Sequence, residues 1–242
     1  DVDHPGIPNI HLIKEDPELA QKYKNRSVAE QRSFEIAWGL LMQPEMSELL
    51  SAICGDSAGL TRFRQLVINA VMATDLGDRE LRKLRNGRWD KAFKPVSEEQ
   101  FNKDPEETLN DVNRKATIVI EHLIQAADVS HTMQHWEIYL EWSEKLFEEL
   151  YTAYKQGRAG KNPCDFWYDG EIGFFDYYII PLSQKLSDCG VFGVSSDENF
   201  SYAKRNRDLW VSCGKMVTEE MIAKCNEKWD ARTKPPNENL YS

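Results

Sequence analysis

Residues 105–130 read PEETLNDVNRKATIVIEHLIQAADVS, and their pattern decides the fold class. Leu109, Val112, Ala116, Val119, Ile120, Leu123 and Ile124 recur at spacings of three and four, the period of an amphipathic helix. The spacing predicts a long helix from Pro105 that delivers Asp128 at its end. An ionised carboxylate placed after Leu123, Ile124, Ala126 and Ala127 is costly without a partner. A metal ion is a natural partner. Capping of a helix that starts after Ser130, or pairing with a buried Arg, is the alternative.

The same period extends outward in both directions, while alternating β-branched patterns are scarce. Phe34, Trp38, Leu41, Met42, Met46, Leu49, Leu50 and Ile53 form one stripe, with Pro44 as a kink or break. Leu60, Phe63, Leu66, Val67, Ala70 and Val71 form another, ending near Gly77. After Ser130 a helix carries Trp136, Tyr139, Leu140, Trp142, Leu146, Phe147, Leu150 and Tyr154, with Gly157 and Gly160 marking its end. The stretch from Arg158 to Asp169 reads as a loop. A helix from about Gly170 to Cys189 contains Pro181, and a last one runs from Asp197 to about Ala231. Asp1 to Pro17, rich in Pro and Gly, reads as mostly loop. The locally basic run from Leu81 to Trp89 reads as a solvated helix end or loop, with a partner-binding patch as the alternative. The expected fold class is all-α.

Composition narrows the function. The 242 residues are 41% hydrophobic and 11% aromatic, enough for one substantial core. With 30 Lys+Arg against 40 Asp+Glu the formal charge is −10, which disfavours nucleic acid and acidic membrane surfaces as partners. A small anionic substrate would then need locally placed positive charge, and a metal supplies it. Five Cys without a close CxxC pair indicate neither a disulfide framework nor a zinc knuckle, so a reducing, cytoplasmic compartment is expected. No apolar run approaches the roughly 20 residues that span a bilayer, and no leader pattern opens the chain, so neither anchor nor signal peptide is expected. The segment could still be a domain of a membrane-tethered protein. Glu238-Asn239-Leu240-Tyr241 resembles the start of a protease tag, so residues 233–242 are set apart as a tail from a domain over residues 1–232.

Two further places carry chemistry. Asp1-Val2-Asp3-His4-Pro5-Gly6 gathers carboxylates and an imidazole in a turn-prone segment, which suits either a divalent cation or an ordinary solvated or capping loop. Thr74-Asp75 closes the apolar run from Val67 to Ala73 as Asp128 closes its own. Acids at the ends of apolar helices suggest one polar pocket.

Taken in order, Asp1 to Gly6, Leu19-Ala20 with Ser27-Val28-Ala29-Glu30, Ala73-Thr74-Asp75, Ala126-Ala127-Asp128-Val129-Ser130, and Gly173-Phe174-Phe175-Asp176 with Pro181-Leu182 resemble the motifs of the class I 3′,5′-cyclic-nucleotide phosphodiesterases. The likeness runs from Asp1 to about Trp210. It implies a compact multi-helix catalytic domain of the HD type, with a tightly held Zn2+ and a second metal, Mg2+ or Mn2+, bridged by a hydroxide that attacks phosphorus. By the resemblance Asp1 and Asp128 are metal ligands, and His4 and Asp128 belong to the catalytic machinery. His4 and Glu30 support the water shell of the second metal, and Thr74 and Asp75 form the pocket wall. The substrate-binding set is Glu171, Phe174, Leu146, His131 and Leu76, with Phe174 stacking on the base and Leu146 opposite it. Without the resemblance, Phe174 and Leu146 read equally as core residues.

The chain departs from the family pattern twice. The family's histidine immediately before Asp1, its further upstream histidine ligand and the histidine that protonates the leaving 3′ oxygen have no counterpart here. His11, His122, His131 and His135 do not match them and read as surface or packing residues, with His131 nearest the pocket mouth. The domain is therefore expected to be N-terminally incomplete, and two carboxylates alone hold metal weakly. Glu171 stands where the family usually has the Gln that pairs with the purine edge. An ionised carboxylate only accepts. Guanine offers N1–H and its 2-amino group as adjacent donors, whereas adenine sets a ring-nitrogen acceptor beside its amino group. The expected activity is hydrolysis of a cyclic nucleotide to the 5′ monophosphate, with cGMP favoured over cAMP. A catalytically inactive nucleotide-binding or regulatory module of the same fold is the alternative, and another HD-type phosphohydrolase is a third. A homodimer or fusion to regulatory domains is compatible with either of the first two.

Overall fold

The computed structural model describes residues 2–93 and 105–233, and these are helical with no strand among them. In chain order the helices are α1 (Asn9–Glu15), α2 (Pro17–Lys22), α3 (Val28–Leu41), α4 (Ser47–Cys54), α5 (Ser57–Ala73), α6 (Arg79–Phe93), α7 (Pro105–Asp128), α8 (Trp136–Lys155), α9 (Trp167–Phe174), α10 (Ile180–Asp188) and α11 (Ser196–Thr233). They fall into two units that divide after Asp128. The Asp1 end of the first motif and the tail at 234–242 lie outside the described residues.

In the first unit α5 packs on α3, α4 and α7, α6 packs on α7, and α1 packs on α2 and α3. Its interior is small and aliphatic, built from Ile7, Leu12, Ala20, Val28, Ala29, Ala73, Ile118 and Ala126, with Trp89 as its large member. The loop expected over Asp1–Pro17 is instead partly helical. Asp16 accepts from the Leu19 N–H at 3.0 Å with Pro17 at the first turn, so an N-cap starts α2 where Pro and Gly content suggested irregular chain. The break at Pro44 is present as a 3-10 turn, Pro44–Met46, between α3 and α4. The stripe it interrupts is helical but is not core: Leu49 is 52% exposed and Ile53 45%. The basic run 81–89 is neither a helix end nor a loop. It lies inside α6, with Arg85 and Trp89 buried because one face of the helix meets α7.

In the second unit α11 packs along α8, α9 and α10. Its interior is aromatic. Tyr139, fully buried, presents its ring edge-on to Phe175 (5.3 Å) and Trp210 (5.8 Å), geometries that the ring quadrupoles favour. Gly214 makes room for Trp210: a Cβ there would stand 2.8 Å from the indole, while the indole N–H donates to Tyr168 O at 3.0 Å. Residues 158–169 contain a 3-10 turn, Pro163–Asp165, and the start of α9, so less of this stretch is loop than the sequence suggests. The helix read from Gly170 to Cys189 is split by a π-helical segment, Phe175–Ile179, after which Pro181 occupies the first turn of α10. The wider turn spares the N–H that proline lacks. Among the described residues no helix is long and apolar enough to cross a membrane, and all five cysteines are free.

Candidate functional site

The first unit gathers most of the acids singled out in the sequence. Thr74, at the end of α5, and Asp128, at the end of α7, line one cavity of about 240 Å³ together with Ala70, Val71, Ile124 and Ala127. The cavity is apolar apart from these two residues, and loss of water contact pushes the Asp128 carboxyl above the usual carboxylate range, with the charge of His4 acting in the opposite direction. Burial likewise raises Glu30, against the Asn9 amide that donates to it at 2.8 Å; the charge of Asp75 adds to the rise and that of His4 opposes it. His4, Glu30, Asp75 and Asp128 therefore share one electrostatic neighbourhood.

Local structure explains how they come to be there. The segment after Asp1 is pinned to α3 by an Arg32–Asp3 ion pair and by the Ser33 hydroxyl donating to Val2 O at 2.6 Å. His4 Nδ1 accepts from the Gly6 N–H at 3.2 Å, which fixes the turn. Asn9 donates to Glu30 and accepts from the Ala29 N–H at 2.9 Å, so one side chain orients the start of α3. Ser27 enters α3 in the left-handed region, φ 39°, a strained position for a residue with a Cβ. Its hydroxyl donates to Asp75 at 2.6 Å, and the other Asp75 oxygen accepts from the N–H groups of Gly77 (2.8 Å) and Asp78 (3.2 Å). Asp75 is thus the knot of the corner after α5. Leu76, next to it, is half-buried.

The second unit holds the residues assigned to the base. Glu171 is buried, and its Oε2 accepts from the Tyr139 hydroxyl at 2.5 Å. Burial raises its carboxyl to about 7 in spite of that bond; burial, and after it the charge and bond of Glu171, also drive the Tyr139 phenol upward. Phe174 is half-buried and stacks on Tyr178 with centroids 5.4 Å apart. Leu146 is 45% exposed on α8. His131 is half-buried in the 3-10 turn after Asp128, 6.4 Å from the Trp142 ring, and burial lowers its pKa. Asn206 of α11, fully buried, fixes this turn by donating to Thr132 O (3.0 Å) and Gln134 O (2.8 Å). His122 packs on Trp89 at 4.3 Å and His135 pairs with the Tyr202 hydroxyl, the packing roles expected of them.

Sequence reading missed Asn9, Ser27, Tyr139 and Asn206. No role is assigned to these side chains in the sequence, and their partners, distant in sequence, give them meaning.

A divalent cation needs more donors than this neighbourhood offers. Among the described residues no group of three or more His, Cys, Asp or Glu side chains could hold a metal ion, and Asp1 lies outside them. The donor set among the described residues is incomplete.

The model of the family described as 3′5′-cyclic nucleotide phosphodiesterase matches residues 1–191. A Caenorhabditis elegans protein named probable 3′,5′-cyclic-AMP phosphodiesterase pde-4 is 29% identical over 204 residues, covering 78% of this chain and 28% of that protein. A second from the same organism, probable 3′,5′-cyclic phosphodiesterase pde-3, is 24% identical over 87% of this chain and 30% of its own length. The chain thus spans less than a third of these relatives. The crystal structure of the phosphodiesterase domain of Salpingoeca rosetta rhodopsin phosphodiesterase superposes with a TM-score of 0.64 at 21% identity, over 91% of this chain and 65% of that one. LmjPDEB1 in complex with IBMX gives 0.67 at 20% identity, over 88% and 62%. These structures share the all-helical fold. With the ordered motifs on the corners where α5 and α7 end, and a family match over residues 1–191, this chain belongs to the class I 3′,5′-cyclic-nucleotide phosphodiesterases.

Proposed function

We propose that residues 1–232 are the greater part of a catalytic domain that opens the 3′ phosphoester of a cyclic nucleotide to give the 5′ monophosphate. The observation that carries this reading is the Thr74–Asp128 cavity, which shares its electrostatic neighbourhood with His4 and Glu30 inside the family-matched region. Two divalent cations, Zn2+ and Mg2+ or Mn2+, held by Asp1, Asp128 and donors beyond the described residues, would polarise the phosphate and supply hydroxide near neutral pH. The chain's own residues do the rest. Asp128 offers a carboxylate whose ionised form is disfavoured until a cation stands beside it. Glu30, oriented by Asn9, and His4 would support the water shell of a second cation. Thr74 forms part of the wall of the cavity that Asp128 also lines.

Phe174, held parallel to Tyr178, is the platform for the base, with Leu146 and His131 as further contacts of the same unit. Glu171 selects the base by its protonation state. Its carboxyl titrates at about 7. Ionised, it accepts from guanine N1–H and the 2-amino group. Protonated, it presents one donor and one acceptor and suits adenine as well. Preference for cGMP over cAMP therefore rises with pH through about 7.

The test is product analysis with the full-length protein. Formation of GMP and AMP as 5′ monophosphates supports the reading, and metal bound without turnover of either nucleotide moves the assignment to a nucleotide-binding module. That second reading is favoured by the incomplete donor set among the described residues. For the base, the cGMP/cAMP ratio of kcat/KM should climb between pH 6 and 8 (a window of roughly one unit either side of the Glu171 pKa) and become flat in Glu171→Gln. A ratio independent of pH in the unmodified enzyme contradicts the role of Glu171.

A further inference from the structure

The corner after α5 is closed in an unusual way. A helix leaves its last carbonyls without partners, and a left-handed glycine often satisfies them. Here the capping residue is Thr74, with φ −78° and ψ −15°, so no such closure forms. Thr74 covers one carbonyl itself, donating from its N–H (3.1 Å) and its hydroxyl (2.8 Å) to Val71 O. The next two are taken by side chains from other helices. Arg85 Nη1 of α6 donates to Met72 O at 3.1 Å, and Gln125 Nε2 of α7 donates to Ala73 O at 3.0 Å. Arg85 Nη2 also reaches Asp75 O at 3.3 Å, beyond the corner. Arg85 and Gln125 are each 5% exposed, and Ala73 is fully buried.

Two features make this more than packing. Glu121, Gln125 and Asp128 stand at i, i+4 and i+7 of α7, on one stripe of the helix. Glu121 is buried and pairs with Arg88 of α6 at 2.5 Å, with the charge of Arg85 also acting on it. The stripe thus ties α6 through Glu121, the α5 corner through Gln125, and presents Asp128 to the cavity that Thr74 also lines. A cation at the C-terminus of α5 is also where the helix dipole favours one.

We infer that Gln125 and Arg85 are positioning residues: they hold the Thr74–Asp75 corner against α6 and α7, and Gln125 fixes its distance from Asp128, one turn along the same stripe. The inference rests on the proposed function for its consequence in turnover. Its geometric part stands on the hydrogen bonds alone.

The experiment compares Gln125→Met, Arg85→Met and Arg85→Lys in the full-length protein, with Ile118→Val as a control of similar stability loss elsewhere on α7. Removing the donor from Gln125 should raise hydrogen exchange at the Gly77 and Asp78 amides, which bond Asp75, by about tenfold. It should also lower kcat by about tenfold with KM unchanged, the signature of a misplaced reacting group. Arg85→Lys should recover part of what Arg85→Met loses, because a shorter cation still reaches one carbonyl. Ile118→Val should change neither readout. Exchange at Gly77 and Asp78 that matches wild type in Gln125→Met, or a kcat loss equal to that of Ile118→Val, overturns the inference. If the wild-type protein turns over no nucleotide, the proposed function fails while the exchange measurement still decides the positioning claim.

Discussion

Each of the two units of this chain has its own kind of interior. Before Asp128 the interior is small, and the helices are tied by single polar side chains: Ser27 to Asp75, Asn9 to Glu30, Gln125 to Ala73 O, Arg88 to Glu121. After it, large rings fill the centre, with Trp210, Tyr139, Phe147 and Phe175 among the most completely buried side chains. The difference suits the work assigned to each. A site that gathers several acids needs directional bonds to hold them apart and in place, whereas a site for a flat base needs stiff apolar walls.

The contrast is sharpest at the aromatic centre. Trp210→Ala should cost about 3–5 kcal/mol in denaturant unfolding, the loss expected of a large buried ring that leaves a cavity. A cost below about 1 kcal/mol would mean that the second unit does not depend on its rings as its packing implies.

Glu171 is the polar exception in that centre, and it tests the comparison next. Its folded pKa is raised above the unfolded value of 4.5 to about 7. Below 4.5 both states are protonated and the group is neutral in its effect. Between 4.5 and about 7 the unfolded chain has lost a proton that the folded chain retains, so stability falls as pH rises, and above that window the deficit is constant. Glu171→Gln keeps an acceptor for Tyr139 and removes the titration. It should stabilise the protein by on the order of 3 kcal/mol at pH 8 and by little near pH 4. An equal effect at both values contradicts the raised pKa.

In the first unit the matching experiment is Ser27→Ala, which strips a buried carboxylate of its 2.6 Å donor. The expected cost is about 2 kcal/mol, with the exchange of the Gly77 amide raised; a cost near zero would make the polar ties incidental. The smallest effect belongs to the surface. Lys224→Ala removes an exposed pair with Glu144 and should cost less than about 0.5 kcal/mol in the same assay.

The same contrast governs what could be read in the sequence. The helices around Ile120, Tyr139 and Trp210 are legible because periodic apolar residues are their cause. The break at Pro44 is legible for the same local reason. The helix at Asn9–Glu15 was hidden by its Pro- and Gly-rich flanks, and the π-helical turn at Phe175–Ile179 leaves no periodic trace, since it shifts register for only five residues. Exposure of Leu49 and Ile53 shows the limit of periodicity, which finds a stripe but not what covers it. Of the candidate site, Asp128, Thr74 and Asp75 stand out as acids or their neighbours at the ends of apolar helices, while Glu30 is found only through the resemblance. Gln125, Arg85 and Tyr139 did not, because a hydrogen bond to a backbone carbonyl or to a residue 32 positions away has no local signature.

The proposed metal-dependent phosphodiesterase reaction is seated at the Asp128 end of α7. Its most direct measurement is cyclic-nucleotide turnover by the full-length protein, before and after chelation and metal return, in wild type and Asp128→Asn. Chelation should abolish turnover and metal should restore it, and the variant should lose at least about a hundredfold in kcat. Turnover that survives both chelation and the Asp128→Asn change would contradict it.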